Sequence, residues 1–218
     1  MDASSPRHGT IIGATSLIVG PALMSVGDLF HPAESWDPAA QVAIVAESPS
    51  RWYVAHLLLF LGMLLLVPGI LTLTRVARDR RPAAGYAARL LLLVSVGAFS
   101  AVIVCEMLLG PYVAEAADQA AAVLLLETCR SAEVFGVLAP GLLAFFVGTG
   151  LAVMSLAYPA GPFRWPALGL ALGAGLILGE VILAEVLLSQ IGNVVIFVAG
   201  VAFARLLLQR REWAPAKS

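Results

Sequence analysis

Six long apolar segments, separated by short polar ones, dominate the pattern of this chain. They cover about residues 10–30, 52–74, 87–110, 133–157, 166–189 and 192–209. The clearest runs from Trp52 to Leu73, where His56 is the only side chain that can carry charge near neutral pH. About 20 apolar residues in a helix span the roughly 30 Å hydrocarbon core of a bilayer, whereas a soluble core helix of this length has a polar face. The pattern therefore predicts an all-α, polytopic transmembrane bundle of six helices in a single domain, residues 1–218.

The polar segments on one side of this bundle predict short helices in two loops. Asp37-Pro38 is typical of an N-cap residue followed by proline at the first helical position, so we expect a helix over 39–47. Its residues Val42, Ile44 and Val45 can then dip into the membrane interface. The second of these loops is expected to be helical over 114–127, and Ser189 to Asn193 to form the turn between the last two spans.

The distribution of charged residues predicts how the bundle is oriented in the membrane. Only 12% of the residues are charged, against about 25% in an ordinary soluble domain. Lysine and arginine concentrate in one set of loops, and the other set holds only Arg51 and Arg130. Positive loops face the cytoplasm, so we expect both termini to be cytoplasmic and the protein to be a multi-pass protein of the plasma membrane. Because topology explains the basic residues, nothing supports nucleic-acid binding.

Small and sulfur-containing residues leave two questions open. The fifth span carries Gly169, Gly173, Gly175 and Gly179, and spacings of four between small residues favour close helix packing. That packing is expected within the bundle, with a homo-oligomer formed through this span as the alternative. Cys105 and Cys129 both fall on the non-cytoplasmic side, where they either form a disulfide or remain two thiols.

The candidate chemistry lies in polar residues inside or at the ends of the apolar segments. All of them fall in the outer half of the membrane, and the proposed site comprises Asp28, His31, His56, Glu106 and Glu180. A charge in hydrocarbon costs about 2.5–3.5 kcal/mol, so these groups should face the bundle interior. The spans contain no lysine and have arginine only at their edges, so we predict that the site binds a cation, either a metal ion or a proton. For a divalent metal ion, the histidines would supply nitrogen ligands and the carboxylates oxygen ligands.

Other functions remain open at this point. In an intramembrane enzyme, a protonated Glu180 or Glu106 would act as general acid on a lipophilic substrate, for example a polyprenyl or terpenoid compound. That hypothesis requires an elongated apolar cavity beside Glu180. Ion-coupled transport, haem bound by His31 and His56, and a purely structural polar cluster are the remaining alternatives. The structural alternative predicts a closed bundle without a cavity. The chain has no G-x-S-x-G, P-loop, CxxC or dinucleotide-binding glycine pattern.

Two stretches and one further residue resemble a family of uncharacterised bacterial six-helix integral membrane proteins of about this length. They are GDLFHP over residues 27–32, AESPSRWYVAHLLLFLGMLLLVPGILTL over residues 46–73, and the carboxylate of Glu106 late in the third span. The resemblance is strongest over residues 27–75. It implies a six-helix fold and a membrane location, and it implies no chemistry.

Overall fold

A computed structural model describes the backbone of residues 5–32, 35, 37–115, 119–129, 132–158, 161–183 and 186–209. The side chains of 5–7, 114–115, 119, 129, 132–135, 137–138, 180–183 and 186 lie outside the description. Within the described residues the secondary structure is helical. The six long helices are α1 (Ser5–Phe30), α3 (Pro49–Arg80), α4 (Pro82–Glu115), α6 (Ala132–Ala157), α7 (Arg164–Leu183) and α8 (Val186–Gln209), and the two short ones are α2 (Pro38–Glu47) and α5 (Gln119–Cys129).

Five of the long helices are long and apolar enough to cross a membrane. Their most apolar windows have mean hydropathies between 1.6 and 2.5, and only 22% to 44% of each window is buried inside the protein. Large aliphatic side chains such as Leu90 and Leu143, which are 66% and 65% exposed, therefore point away from the bundle. An outer surface of this kind suits lipid and not water. The predicted fifth span corresponds to α7, whose described apolar part, Arg164–Gly179, is shorter.

The six long helices form a closed ring. Going around it, α1 packs on α3, α3 on α4, α4 on α6, α6 on α7, α7 on α8, and α8 returns to α1. Once the two short helices are left out, neighbours in the ring follow one another in the chain, except that the last helix, α8, packs on the first, α1. The ring has an arginine end, with Arg75 to Arg81, Arg164 and Arg205, and an α2/α5 end, where the two short helices lie.

Backbones approach closely where the ring has glycine. A Cβ atom on Gly62 of α3 would lie 2.8 Å from the carbonyl oxygen of Gly20 on α1, and the reverse contact is 3.0 Å. On the other side of α1, the backbone oxygen of Leu17 meets Gly200 of α8. Small residues permit this kind of packing in a bilayer. Gly173 of α7 likewise lies against Ile196 and Gly192 of α8, whereas Gly175 has open space around it.

The short helix predicted over 39–47 is present as α2. Asp37 caps it, because its carboxylate accepts a hydrogen bond of 2.8 Å from the backbone N–H of Ala40. Val42 and Val45 do not lie free for the membrane interface as expected. They are almost completely buried and pack with Trp52, Leu109 and Leu126 at the α2/α5 end. The reason is that α2 contacts α3, α4 and α5, which cover its apolar side.

Two predicted boundaries differ from the structure. The turn expected over Ser189 to Asn193 is wrong, because α8 begins at Val186 and these residues are helical. The second loop helix was expected over 114–127, but α4 continues through Pro111 to Glu115 and α5 covers Gln119–Cys129. The two differences have one cause. Polar residues and proline often end helices, but here Ser189 to Asn193 lie inside α8 and Pro111 lies inside α4. The thiol of Cys105 is free and exposed. Of the two alternatives for Cys105 and Cys129, the structure therefore supports separate thiols and not a disulfide.

Arginines at the arginine end also bind neighbouring helices. Arg80 donates a hydrogen bond of 2.7 Å to the carbonyl of Leu156, in the last turn of α6. Arg89, about two turns inside α4, donates to the hydroxyl of Thr74 and to the carbonyl of Leu71 on α3. Basic side chains near the C-terminal ends of helices stabilise their unpaired carbonyl groups. Arg80 and Arg89 therefore link α3 to α6 and α4 by hydrogen bonds, in addition to their effect on topology.

Candidate functional site

A cluster of His31, His56 and Glu106 lies at the α2/α5 end. His56 and Glu106 come from α3 and α4, and His31 lies in the segment that follows α1. Proline at position 32 ends α1 at Phe30, as predicted. Arg51 donates a hydrogen bond of 2.8 Å to the carbonyl of Phe30, which fixes this end of α1 against α3. The local sequence therefore directs the imidazole of His31 toward α3.

The three side chains meet at the ring nitrogen Nε2 of His56. This atom lies 3.4 Å from Nε2 of His31 and 3.2 Å from Oε2 of Glu106. The side chain of His56 is only 2% exposed, whereas that of Glu106 is 30% exposed. The cluster thus has a buried imidazole at its centre and a carboxylate that is open on one side.

Trp52 holds the cluster together. Its indole N–H donates a hydrogen bond of 2.6 Å to the backbone carbonyl of Glu106, which joins α3 to α4. Its ring centroid lies 4.3 Å from that of His56 and 4.7 Å from that of His31. Trp52 is 1% exposed. Aromatic contacts at these distances fix ring orientations, so both imidazoles are positioned by one buried indole.

Hydrogen bonds at Nδ1 determine which nitrogen of each histidine carries a proton. Nδ1 of His56 lies 2.9 Å from the carbonyl of Trp52, and Nδ1 of His31 lies 2.8 Å from the carbonyl of Pro32. A carbonyl oxygen only accepts, so we assign a proton to Nδ1 in both rings. In a neutral ring Nε2 is then an acceptor. Nε2 of His56 therefore faces two further acceptor atoms unless an additional proton is present.

The imidazole of His31 is neutral at physiological pH. Burial and, to a smaller extent, the neighbouring His56 together lower the pKa of His31 from 6.5 to about 4, against the opposing effect of the hydrogen bond to the carbonyl of Pro32. Glu106 opposes this shift only in part. An additional proton in the cluster therefore does not reside on His31.

Asp28 makes its contacts elsewhere than the other members of the predicted site. Its carboxylate accepts a hydrogen bond of 2.9 Å from the side-chain amide of Asn193 on α8, and Ser189 is a second hydrogen-bond partner. The sequence spacing would place Asp28 and His31 on one helix face only if α1 continued to His31. Because α1 ends at Phe30, His31 turns toward α3 while Asp28 faces α8.

The remaining predicted member is Glu180. Its backbone lies in α7, but its side chain lies outside the described part of the chain. Among the side chains that are described, no group of three or more histidine, cysteine, aspartate and glutamate residues is arranged so as to hold a metal ion. The structure thus gives no support to the metal ligand set Asp28, His31, His56, Glu106 and Glu180, which stays a prediction.

A cavity of about 250 Å³ lies inside the ring. All six long helices line it, for example with Leu17, Met63, Leu92, Phe145, Leu170 and Ile196. Asp28, Ser189 and Asn193 give it a polar end, and the hydroxyl groups of Ser95 and Thr149 line it farther along. The enzyme hypothesis required an elongated apolar cavity beside Glu180, whose side chain lies outside the description, whereas the purely structural alternative predicted a closed bundle. The described part of the chain contains a cavity, whereas the structural alternative predicts a bundle without one.

Two residues that organise these sites were not recognised from the sequence. Trp52 opens the second predicted span, a position where tryptophan usually marks the membrane surface, although its spacing of four from His56 places both on one helix face. Asn193 was assigned to a turn, although it is 7% exposed and binds Asp28. The helical spacing could have identified Trp52. No pattern in the sequence pairs Asn193 with a residue 165 positions away.

No family model matches this chain, and no curated protein or solved structure is significantly similar to it. The resemblance to the six-helix family therefore remains an expectation from the sequence. What the fold defines is a helical protein with several apolar helices suited to a membrane.

Proposed function

We propose that this chain is a multi-pass protein of the plasma membrane that binds a cation in the His31–His56–Glu106 cluster, and that the cation is a proton held between His56 and Glu106. One observation carries this proposal: Nδ1 of His56 is already bonded to a carbonyl, while its Nε2 lies 3.2 Å from Oε2 of Glu106. Two acceptor atoms repel each other at this distance. A proton on either atom turns the contact into a charge-assisted or neutral hydrogen bond.

Trp52 supports a positive charge at this position. Its ring centroid lies 4.3 Å from that of His56, and a cation within about 6 Å of an indole is stabilised by the electrons of the ring. A proton also needs fewer partners than a metal ion, which in structural sites takes about four ligands. The described side chains that surround His56 thus suit a proton better than a metal ion.

The distribution of arginine supports an extracytoplasmic position for this cluster. We count α7 as a span as well, the fifth in chain order, because it packs along α8 and connects the same two ends of the ring. With six spans, the arginine end is cytoplasmic and the α2/α5 end faces outward. The partly exposed carboxylate of Glu106 can then exchange the proton with the outer solution, while buried His56 holds it.

The histidine count makes a direct test practical, because the chain has only three histidines. Protein labelled with ¹⁵N-histidine is purified in lipid nanodiscs, and the signals are assigned with the variants His8→Gln and His31→Gln. At pH 7 we expect either both ring nitrogens of His56 to carry a proton, or an infrared band of a protonated carboxyl group that disappears in Glu106→Gln. In the Glu106→Gln variant, His56 should become a neutral ring protonated at Nδ1. The exposed Glu127→Gln serves as the matched control and should change neither measurement.

Two results would overturn this proposal. The first is a neutral His56 in the wild type without any protonated carboxyl group assigned to Glu106. The second is a stoichiometric metal ion, found by elemental analysis and lost in His56→Ala, because the cation would then be a metal ion.

A further inference from the structure

The cavity inside the ring has the shape of an elongated binding site. On α1 its lining runs from Leu17 to Asp28, and on α4 from Leu92 to Ile103. Each stretch advances 11 residues along its helix, which corresponds to about 16 Å at about 1.5 Å per residue. On α3 the lining runs from Met63 to Leu73, a similar length. Three helices therefore give the cavity the same long axis, roughly parallel to the membrane normal.

The size of the cavity is sufficient for a small ligand. At about 250 Å³, it is larger than an apolar cavity of about 150 Å³ that binds benzene in another protein. It approaches the lower end of ordinary ligand sites, roughly 300 Å³. An apolar cavity of this size forfeits packing contacts if it stays empty, so an apolar occupant stabilises the surrounding helices.

The polar end of the cavity selects the occupant's head group. The Asp28 carboxyl group is fixed by Asn193 and Ser189, and all three residues line the cavity. A carboxylate offers about four acceptor positions, so these two donors leave acceptor capacity directed into the cavity. A hydroxyl group is both donor and acceptor. It can therefore bond to Asp28 whether the carboxyl group is ionised or protonated.

We propose that the cavity binds an elongated lipophilic alcohol, with its hydroxyl group at Asp28 and its hydrocarbon chain extending toward Leu17, Leu73 and Leu92. The site is separate from the proton-binding cluster, since Asp28 pairs with α8 and His56 pairs with α4. The ligand enters as a molecule already dissolved in the bilayer, and no chemical step is involved. The two proposals thus stand on different residues and fail independently.

Photolabelling of the full-length protein in nanodiscs tests the site and the orientation together. Two analogues of 1-dodecanol are used, one with a diazirine at the chain terminus and one with a diazirine beside the hydroxyl group. The terminal diazirine should label residues at the apolar end, such as Leu73 or Leu92. The diazirine beside the hydroxyl group should label the other end, near Met24 or Ile103. Unlabelled 1-dodecanol should compete with both probes, whereas dodecane, which lacks the head group, should compete about tenfold less well.

Variants locate the head-group contact. Asp28→Ala, which removes both oxygens, should weaken competition by 1-dodecanol by about tenfold, as expected for the loss of this hydrogen bond. The control Asp79→Ala removes a carboxyl group at the arginine end that is 62% exposed and should have no effect. Labelling that does not saturate, or that falls only on lipid-facing residues such as Leu64 and Leu90, would overturn the proposal in the wild type itself. Equal competition by the alkane and the alcohol would overturn the assignment of Asp28.

Discussion

The contact between α7 and α8 can be tested by adding one methyl group. In Gly173→Ala, the new Cβ atom would lie 2.8 Å from the carbonyl oxygen of Gly192 and 2.5 Å from Cγ1 of Ile196. The side chain of Ile196 can rotate away, but the Gly192 carbonyl belongs to the backbone of α8 and cannot. A carbon atom and a carbonyl oxygen approach to about 3.3 Å. The two helices must therefore separate locally by about half an ångström.

The neighbouring Gly175 provides the control on the same helix. It has no atom within 4 Å of the corresponding Cβ position, so Gly175→Ala adds helix propensity without a clash. Glycine costs about 0.5–1 kcal/mol relative to alanine inside a helix, and overpacking costs about 1–3 kcal/mol. We therefore expect Gly175→Ala to be neutral or slightly stabilising. Gly173→Ala should be less stable than Gly175→Ala by about 1–3 kcal/mol.

The assay is thermal unfolding of both variants and the wild type, purified in the same detergent and followed by circular dichroism. The expected order of melting temperature is Gly175→Ala at or above the wild type, and Gly173→Ala below it. If Gly173→Ala were as stable as Gly175→Ala, α7 and α8 would not be in backbone contact at this position, and the closed ring would be incorrect there.

Two further predictions concern the α2/α5 end. Between pH 6.5 and about 4, the unfolded chain binds a proton at His31 that the folded protein does not, so stability falls as the pH is lowered through this range. Integrated over the whole pKa shift, the loss of folding stability is about 3 kcal/mol. The difference in melting temperature between wild type and His31→Gln should therefore shrink as the pH falls. A difference that does not depend on pH would contradict this prediction. Separately, Asp37→Ala removes the N-cap of α2 and should cost about 1 kcal/mol, measured by chemical unfolding, whereas Asp37→Asn should retain most of the stability.

Much of the fold could be predicted from the sequence because lipid imposes a simple rule. A segment that crosses hydrocarbon must satisfy its backbone hydrogen bonds internally, so each long apolar run becomes a helix. Local chemistry was equally readable: Pro32 ends α1, and Asp37 caps α2. These features depend on residues only a few positions apart, which is why a single sequence suffices to find them.

The partners across the bundle could not be predicted in the same way. Pairing of Asp28 with Asn193 depends on α8 closing against α1, and a run such as Ser189 to Asn193 has the composition of a turn. Only the packed structure shows that its polar groups bind another helix. Part of the candidate site was accessible, because His31, His56 and Glu106 are polar residues in apolar surroundings. Their common neighbour Trp52 was not recognised, since tryptophan near a span end usually marks the membrane surface.

Closure of the ring has a consequence for how the protein assembles. As the chain is synthesised, α1 can pair with α3 early, through the approach of Gly20 to Gly62. Asp28 of α1, in contrast, meets its partner Asn193 only when α8 follows much later in the chain. Until then, the carboxyl group of Asp28 lies in the bilayer without the hydrogen bond from the side-chain amide of Asn193. Because all six long helices line the cavity, it is complete only after α8 has packed against α1. A ligand can therefore bind there only after the whole chain has been synthesised.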